Sequence, residues 1–220
     1  MRNALFLAIL IASPFAAAKG PDIDKVNGSV RTDANAEYGS LETVNGSVFV
    51  ASGAHAESAS TVNGRIEAGK LAILGSVETV NGGIDLGDTV TVEGDASTVN
   101  GTIDIARGSR IGGKIETVNG EIDLTGTEVD GRIETVNGDI TVGADSIVRG
   151  GILVEKPQGN WLWSNNNNGK QKIPRIVIGP NARVEGTLDF EREVELFVHS
   201  SAKIGTVRGA TAKSFSGDQP

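Results

Sequence analysis

The sequence predicts an all-β fold: a single-stranded β-helix, or β-solenoid, of about nine coils built on an 18–19-residue repeat. Three observations carry this. First, the tripeptide Val-Asn-Gly recurs with its asparagines at Asn27, Asn45, Asn63, Asn81, Asn100, Asn119 and Asn137, so successive copies stand 18 or 19 residues apart. Second, an apolar column follows three residues later, at Val30, Val48, Ile66, Ile84, Ile103, Ile122 and Ile140, and a valine column stands one residue before, from Val26 to Val136. Third, glycines recur mid-repeat (Gly53, Gly69, Gly87) and late in it (Gly75, Gly94, Gly113), marking two further corners.

A repeat of this length holds three short strands. It is too short for a propeller blade of about 40 residues and lacks the 3.6-residue apolar spacing of helical repeats. A run of Asn-Gly hairpins is the competing local reading, and the three-corner pattern opposes it. Stacked coils pair in parallel about 4.8 Å apart, which turns the aligned valine and isoleucine columns into interior ladders. No coil buries its apolar face alone, so each stabilises its neighbours. Asn-Gly suits corners that need positive φ, and stacked amides are placed to hydrogen-bond from coil to coil.

Taken in order along the chain, residues 1–18 read as a signal peptide. Arg2 gives a basic start, Ala4 to Ala12 an apolar run too short to remain as a membrane span, and Ala16-Ala17-Ala18 a small-residue cleavage site. The mature chain is therefore expected to be periplasmic or secreted. Residues 19–208 read as the β-helix domain, interrupted at 155–175 by an insertion with Pro157, Pro174, four consecutive asparagines and both tryptophans, Trp161 and Trp163. The rhythm resumes from Ile176 to Leu188 and from Val194 to Val207. Residues 209–220 read as a polar, disordered tail.

Composition narrows the function. The formal net charge of −8 becomes −9 once Arg2 is removed, and an acidic chain repels phosphate backbones, so nucleic acid is not an expected partner. With no cysteine, and with only His55 and His199 in distant coils, no nucleophilic triad, zinc spacing or phosphate loop can be assembled, and no cofactor is expected.

Two surface features are candidates for function. Four residues after the repeat asparagine stand Glu67, Asp85, Asp104 and Asp123, which stacking places in one outward file about 5 Å apart. Such a file reads as a solvated face, as a Ca²⁺ site with ligands from neighbouring coils, as a docking face for a basic partner, or as the carboxylate pair of a retaining glycosidase. Ligand sites are concave, and coils of nearly constant length leave no material for cleft walls. A non-catalytic role therefore leads, with a polysaccharide-active enzyme as the alternative. A second file (Asp24, Glu42, Ser60, Glu78, Ser97, Glu116, Glu134) is broken by serine and reads as solubilising surface. Trp161 and Trp163 either fold back on the flank of the solenoid or contact a glycan, a membrane surface or an envelope protein.

The stretch Gly179-x-x-Ala182-x-Val184-x-Gly186-x-Leu188 resembles the coil consensus of bactofilins, and the Thr-Val-Asn-Gly-x-Ile repeats are similar to β-strand-repeat, adhesin-like proteins of the bacterial envelope. Together the resemblances span residues 24 to 208. The first implies a β-helix that polymerises end to end without nucleotide. Bactofilins are typically cytoplasmic, whereas this chain carries an export signal. The ends of the solenoid point the same way: a terminal coil leaves one row of strand edges unpaired, and neither Lys19 to Asp24 nor the stretch after Val207 supplies a helical cap. A structural or interaction rod of the envelope, with end-to-end self-association, is the expectation.

Overall fold

The computed structural model describes residues 20–157, 172–217 and 219–220. Among these residues every element is a strand, and the strands stack in parallel into a three-faced β-solenoid. One face is a 10-stranded sheet containing Val48–Val50, Ile84–Leu86, Ile103–Ile105 and Ile122–Leu124; it is the isoleucine face. The other two faces merge into a 16-stranded sheet, because Glu37–Asn45, His55–Asn63 and Ile73–Asn81 run through both without a break.

The register is that of the repeat. Asn81, Asn100 and Asn119 lie opposite one another, as do Ile84, Ile103 and Ile122. The isoleucine column is fully interior: Val30, Val48, Ile66, Ile84, Ile103, Ile122 and Ile140 are all at 0% exposure.

The valine column is not interior. Val26 is 68% exposed, Val44 41% and Val62 40%, and Val80, Val99, Val118 and Val136 are half-buried. Strand alternation explains it. From Val44 onward the threonine before each valine takes the inward place, so the valine must face out. Thr43, Thr61, Thr79, Thr98, Thr117 and Thr135 are buried. Their hydroxyls are satisfied: Thr43 Oγ1 donates to the Gly28 carbonyl at 3.0 Å, Thr61 to Gly46 at 2.8 Å and Thr79 to Gly64 at 3.0 Å.

The corners also differ from the sequence expectation. Of the Val-Asn-Gly glycines of the repeat only Gly28 has positive φ. The later ones are glycine because coils approach too closely for a side chain: a Cβ on Gly101 would lie 1.9 Å from the Gly82 carbonyl oxygen. Left-handed backbone sits instead at the corner after the isoleucine face, in nearly every coil: Asn35, Gly53, Leu71, Thr89, Gly108, Gly126, Asp145 and Asn181. Leu71 and Thr89, at φ 61° and 60°, hold this conformation without the chemistry that favours it.

After Val154 the insertion replaces one Val-Asn-Gly corner, and Arg175–Ile178 rejoins the isoleucine face with Ile176 opposite Ile140. The residues beyond Val207 do not form the expected disordered tail. Ala212–Phe215 pairs with Glu195–His199 and closes a tenth coil, where about nine were expected. Its backbone supplies the pairing, which a polar sequence with no repeat signature does not advertise. The interior thins towards this end: Val198, Ala202, Ile204, Val207 and Ala210 are only partly buried against the core.

Candidate functional site

Two surface features lie along the Asn-Gly corner and the isoleucine face, and a third at the ends of the solenoid. The first is the asparagine ladder. Each Nδ2 donates to the Oδ1 one coil earlier: Asn45 to Asn27 at 3.1 Å, Asn63 to Asn45 at 3.0 Å, Asn81 to Asn63 at 3.1 Å, Asn100 to Asn81 at 3.0 Å, Asn119 to Asn100 at 3.1 Å and Asn137 to Asn119 at 2.9 Å. The chain of amides ends on Arg192, whose Nη1 donates to Asn137 Oδ1 at 2.6 Å and to the Val136 carbonyl at 2.9 Å. A guanidinium only donates, so Asn137 must turn its oxygen towards Arg192 and its nitrogen towards Asn119. That orientation propagates to Asn27. One arginine sets the direction of the whole ladder, and no motif in the repeats reveals it.

The second feature is the acidic file. Glu67 lies opposite Asp85, Asp85 opposite Asp104 and Asp104 opposite Asp123, as stacking requires. Arg65 compensates one end, with Nη1 at 2.9 Å from Glu67 and 3.8 Å from Asp85. Asp104 and Asp123 enter no ion pair among the described residues. Burial of its carboxyl holds Asp104 above the ordinary aspartate range, and the charges of Asp123, Asp85 and Glu121 add to it. The file lines an open surface depression of about 720 Å³, together with Arg107 and Thr125. Among the described residues no group of three or more histidine or carboxylate side chains is gathered to hold a metal ion. The carboxylates form a line, with no convergence on one point.

The third feature is the pair of open strand edges at the two ends, the first carrying Asp24 beside Lys25 and Arg31. The second carboxylate file begins with Asp24 opposite Glu42. Burial raises the Glu42 carboxyl, and the crowding of Asp24 and Asp22 raises it further. Across the molecule, Ser200 to Gly217 carries Lys203, Arg208 and Lys213 and no carboxylate. The strand Val207–Arg208 has a partner on one side only, Leu188–Phe190. At the other end Ile23–Asn27 pairs only with Glu37–Asn45. In that first coil the Asp33 amide donates to Tyr38 Oη at 2.9 Å, in place of a preceding coil.

Trp161 and Trp163 and the leader at 1–18 lie outside the described residues. Among the described residues no helix is long and apolar enough to cross a membrane. No protein-family model, characterised protein or solved structure matches the chain.

Proposed function

We propose that the chain is an exported, non-catalytic β-helical rod of the cell envelope that joins copies of itself end to end. The observation that supports this best is that the first and last coils each present strands paired on one side only. If a second copy continues the stack, Val207 and Arg208 of the last coil fall opposite Ile23 and Asp24 of the next first coil. Val207 then meets Ile23, an apolar contact, and Arg208 meets Asp24, the aspartate that crowds Glu42. On the isoleucine face Lys213 falls opposite Arg31, a like-charge pair softened because Lys213 Nζ already lies 3.1 Å from Glu195. The two ends are different surfaces, so repeated joining gives an open filament. The acidic file takes no part in chemistry in this reading and keeps the flanks soluble.

A charge swap tests the proposal. Arg208→Glu and Asp24→Arg each oppose like charges across the joint, while a mixture of the two variants restores an opposite pair at every junction. Each variant alone should sediment as monomer at concentrations where the wild type associates, and the equimolar mixture should regain the larger species. Wild-type association by either variant alone, or a mixture that stays monomeric, overturns the proposal.

A further inference from the structure

The exposed valine column has no role in packing the core and none in the end-to-end joint. Val26, Val44 and Val62 show 68%, 41% and 40% of their surface, and the half-buried Val80, Val99, Val118 and Val136 continue the line. With about 4.8 Å per coil, the seven valines make an apolar ridge roughly 29 Å long. Strand propensity alone would be met by threonine, which occupies the neighbouring inward column without exception from Thr43 to Thr135. Carboxylates flank the ridge on both sides: Glu42 and Glu78 on the threonine face, and Glu67, Asp85 and Asp104 on the isoleucine face. Beyond the effect of burial, neighbouring carboxylates raise both Glu42 and Asp104. A second copy laid on this ridge would bring acidic flanks against acidic flanks.

We infer that the valine ridge is a docking line for a basic amphipathic helix of another protein. The apolar seam of a helix repeats about every 5.4 Å, close to the coil rise, whereas like-facing residues of a strand recur only about every 6.8 Å. A helix of about 20 residues spans the ridge, and lysines beside its seam reach the two carboxylate rows. The partner's apolar seam gives affinity, and its charge gives selectivity and a dependence on salt.

The probe is a synthetic 20-residue helical peptide with leucines at three- and four-residue spacing and lysines beside them. Oligolysine of equal charge is the control. Val44, Val62 and Val80 are changed together to threonine, which keeps the branched strand residue and leaves the terminal coils untouched. The peptide should bind wild type and weaken as salt rises, and the triple variant should bind at least about tenfold more weakly at an unchanged melting temperature. Oligolysine should bind wild type at least about tenfold more weakly than the peptide. No binding by the peptide, equal binding by oligolysine, or indifference to the triple substitution overturns the inference. Lateral self-association of the wild type, beside the end-to-end joint, that the triple variant loses identifies a second copy as occupant. Binding that emerges only when residues 158–171 are deleted identifies the chain's own insertion. Either of these last results also overturns it, and neither bears on the charge-swapped ends.

Discussion

The first seven coils and the last three solve the same packing problem with different means. In the first seven, an asparagine and a glycine recur at one corner, joined by a threonine in all but the first, and the corner is built three times over: a buried hydroxyl on a glycine carbonyl, an amide ladder, and glycines stacked too closely for a Cβ. In the last three coils the corner chemistry is gone, an insertion stands where one corner should be, and the repeat length changes, with Ile176 opposite Leu196 and Leu196 opposite Ala212. The pairing of strands survives without the motif. Backbone hydrogen bonds and inward alternation are therefore enough to continue a solenoid, and the Thr-Val-Asn-Gly corner serves to hold its register constant.

That contrast predicts unequal costs for equal losses. Ile103→Ala empties a fully buried position between two identical neighbours and should destabilise by about 3 kcal/mol. Val207→Ala in the last coil removes a side chain that is only half-buried and should cost less than about 1 kcal/mol. Both are read from chemical denaturation midpoints. Equal costs would mean that the interior is as tightly closed at the last coil as at the fifth, and the comparison fails.

The ladder is the next place to press. Asn100→Ala breaks two amide bonds at once, to Asn81 and from Asn119, and should cost about 1–2 kcal/mol although the corner faces solvent. Arg192→Met leaves all six amide bonds in place but removes the donor that orients them, and should cost less than Asn100→Ala. If Arg192→Met costs the more of the two, the arginine holds the insertion's stem to the solenoid through the Lys172 carbonyl more than it caps the ladder.

The smallest effect has the opposite sign. Thr89 holds φ 60°, while Asn181 in the equivalent corner of the later coils uses a residue that tolerates it. Thr89→Gly should therefore stabilise by about 1 kcal/mol, visible as a raised melting temperature. A loss of stability would show that the Thr89 side chain contributes contacts that outweigh its backbone strain.

How much of this the sequence discloses follows from which signals repeat. The isoleucine column is legible because each of the first seven coils places valine or isoleucine on it, and the acidic file is legible because stacking follows from spacing alone. The valine column repeats just as faithfully, yet it faces outwards. A repeat shows that a position is equivalent from coil to coil, and only the parity set by the buried threonine shows which way it points. The left-handed corner was misplaced for a related reason: Leu71 and Thr89 hide it, while Asn-Gly advertises it at a corner that does not need it. The tenth coil is invisible to pattern, since Ala212 to Phe215 shares nothing with the repeat except an edge on which to pair. Arg192 reaches Asn137 from 55 residues away, and no local signal marks it.

The central claim is that the open edges join. Sedimentation velocity of wild-type residues 19–220 over a wide range of concentration tests it most directly. The account predicts a sedimentation coefficient that keeps rising with concentration, from rods that grow in length at constant width. A single monomeric species at every concentration would contradict it.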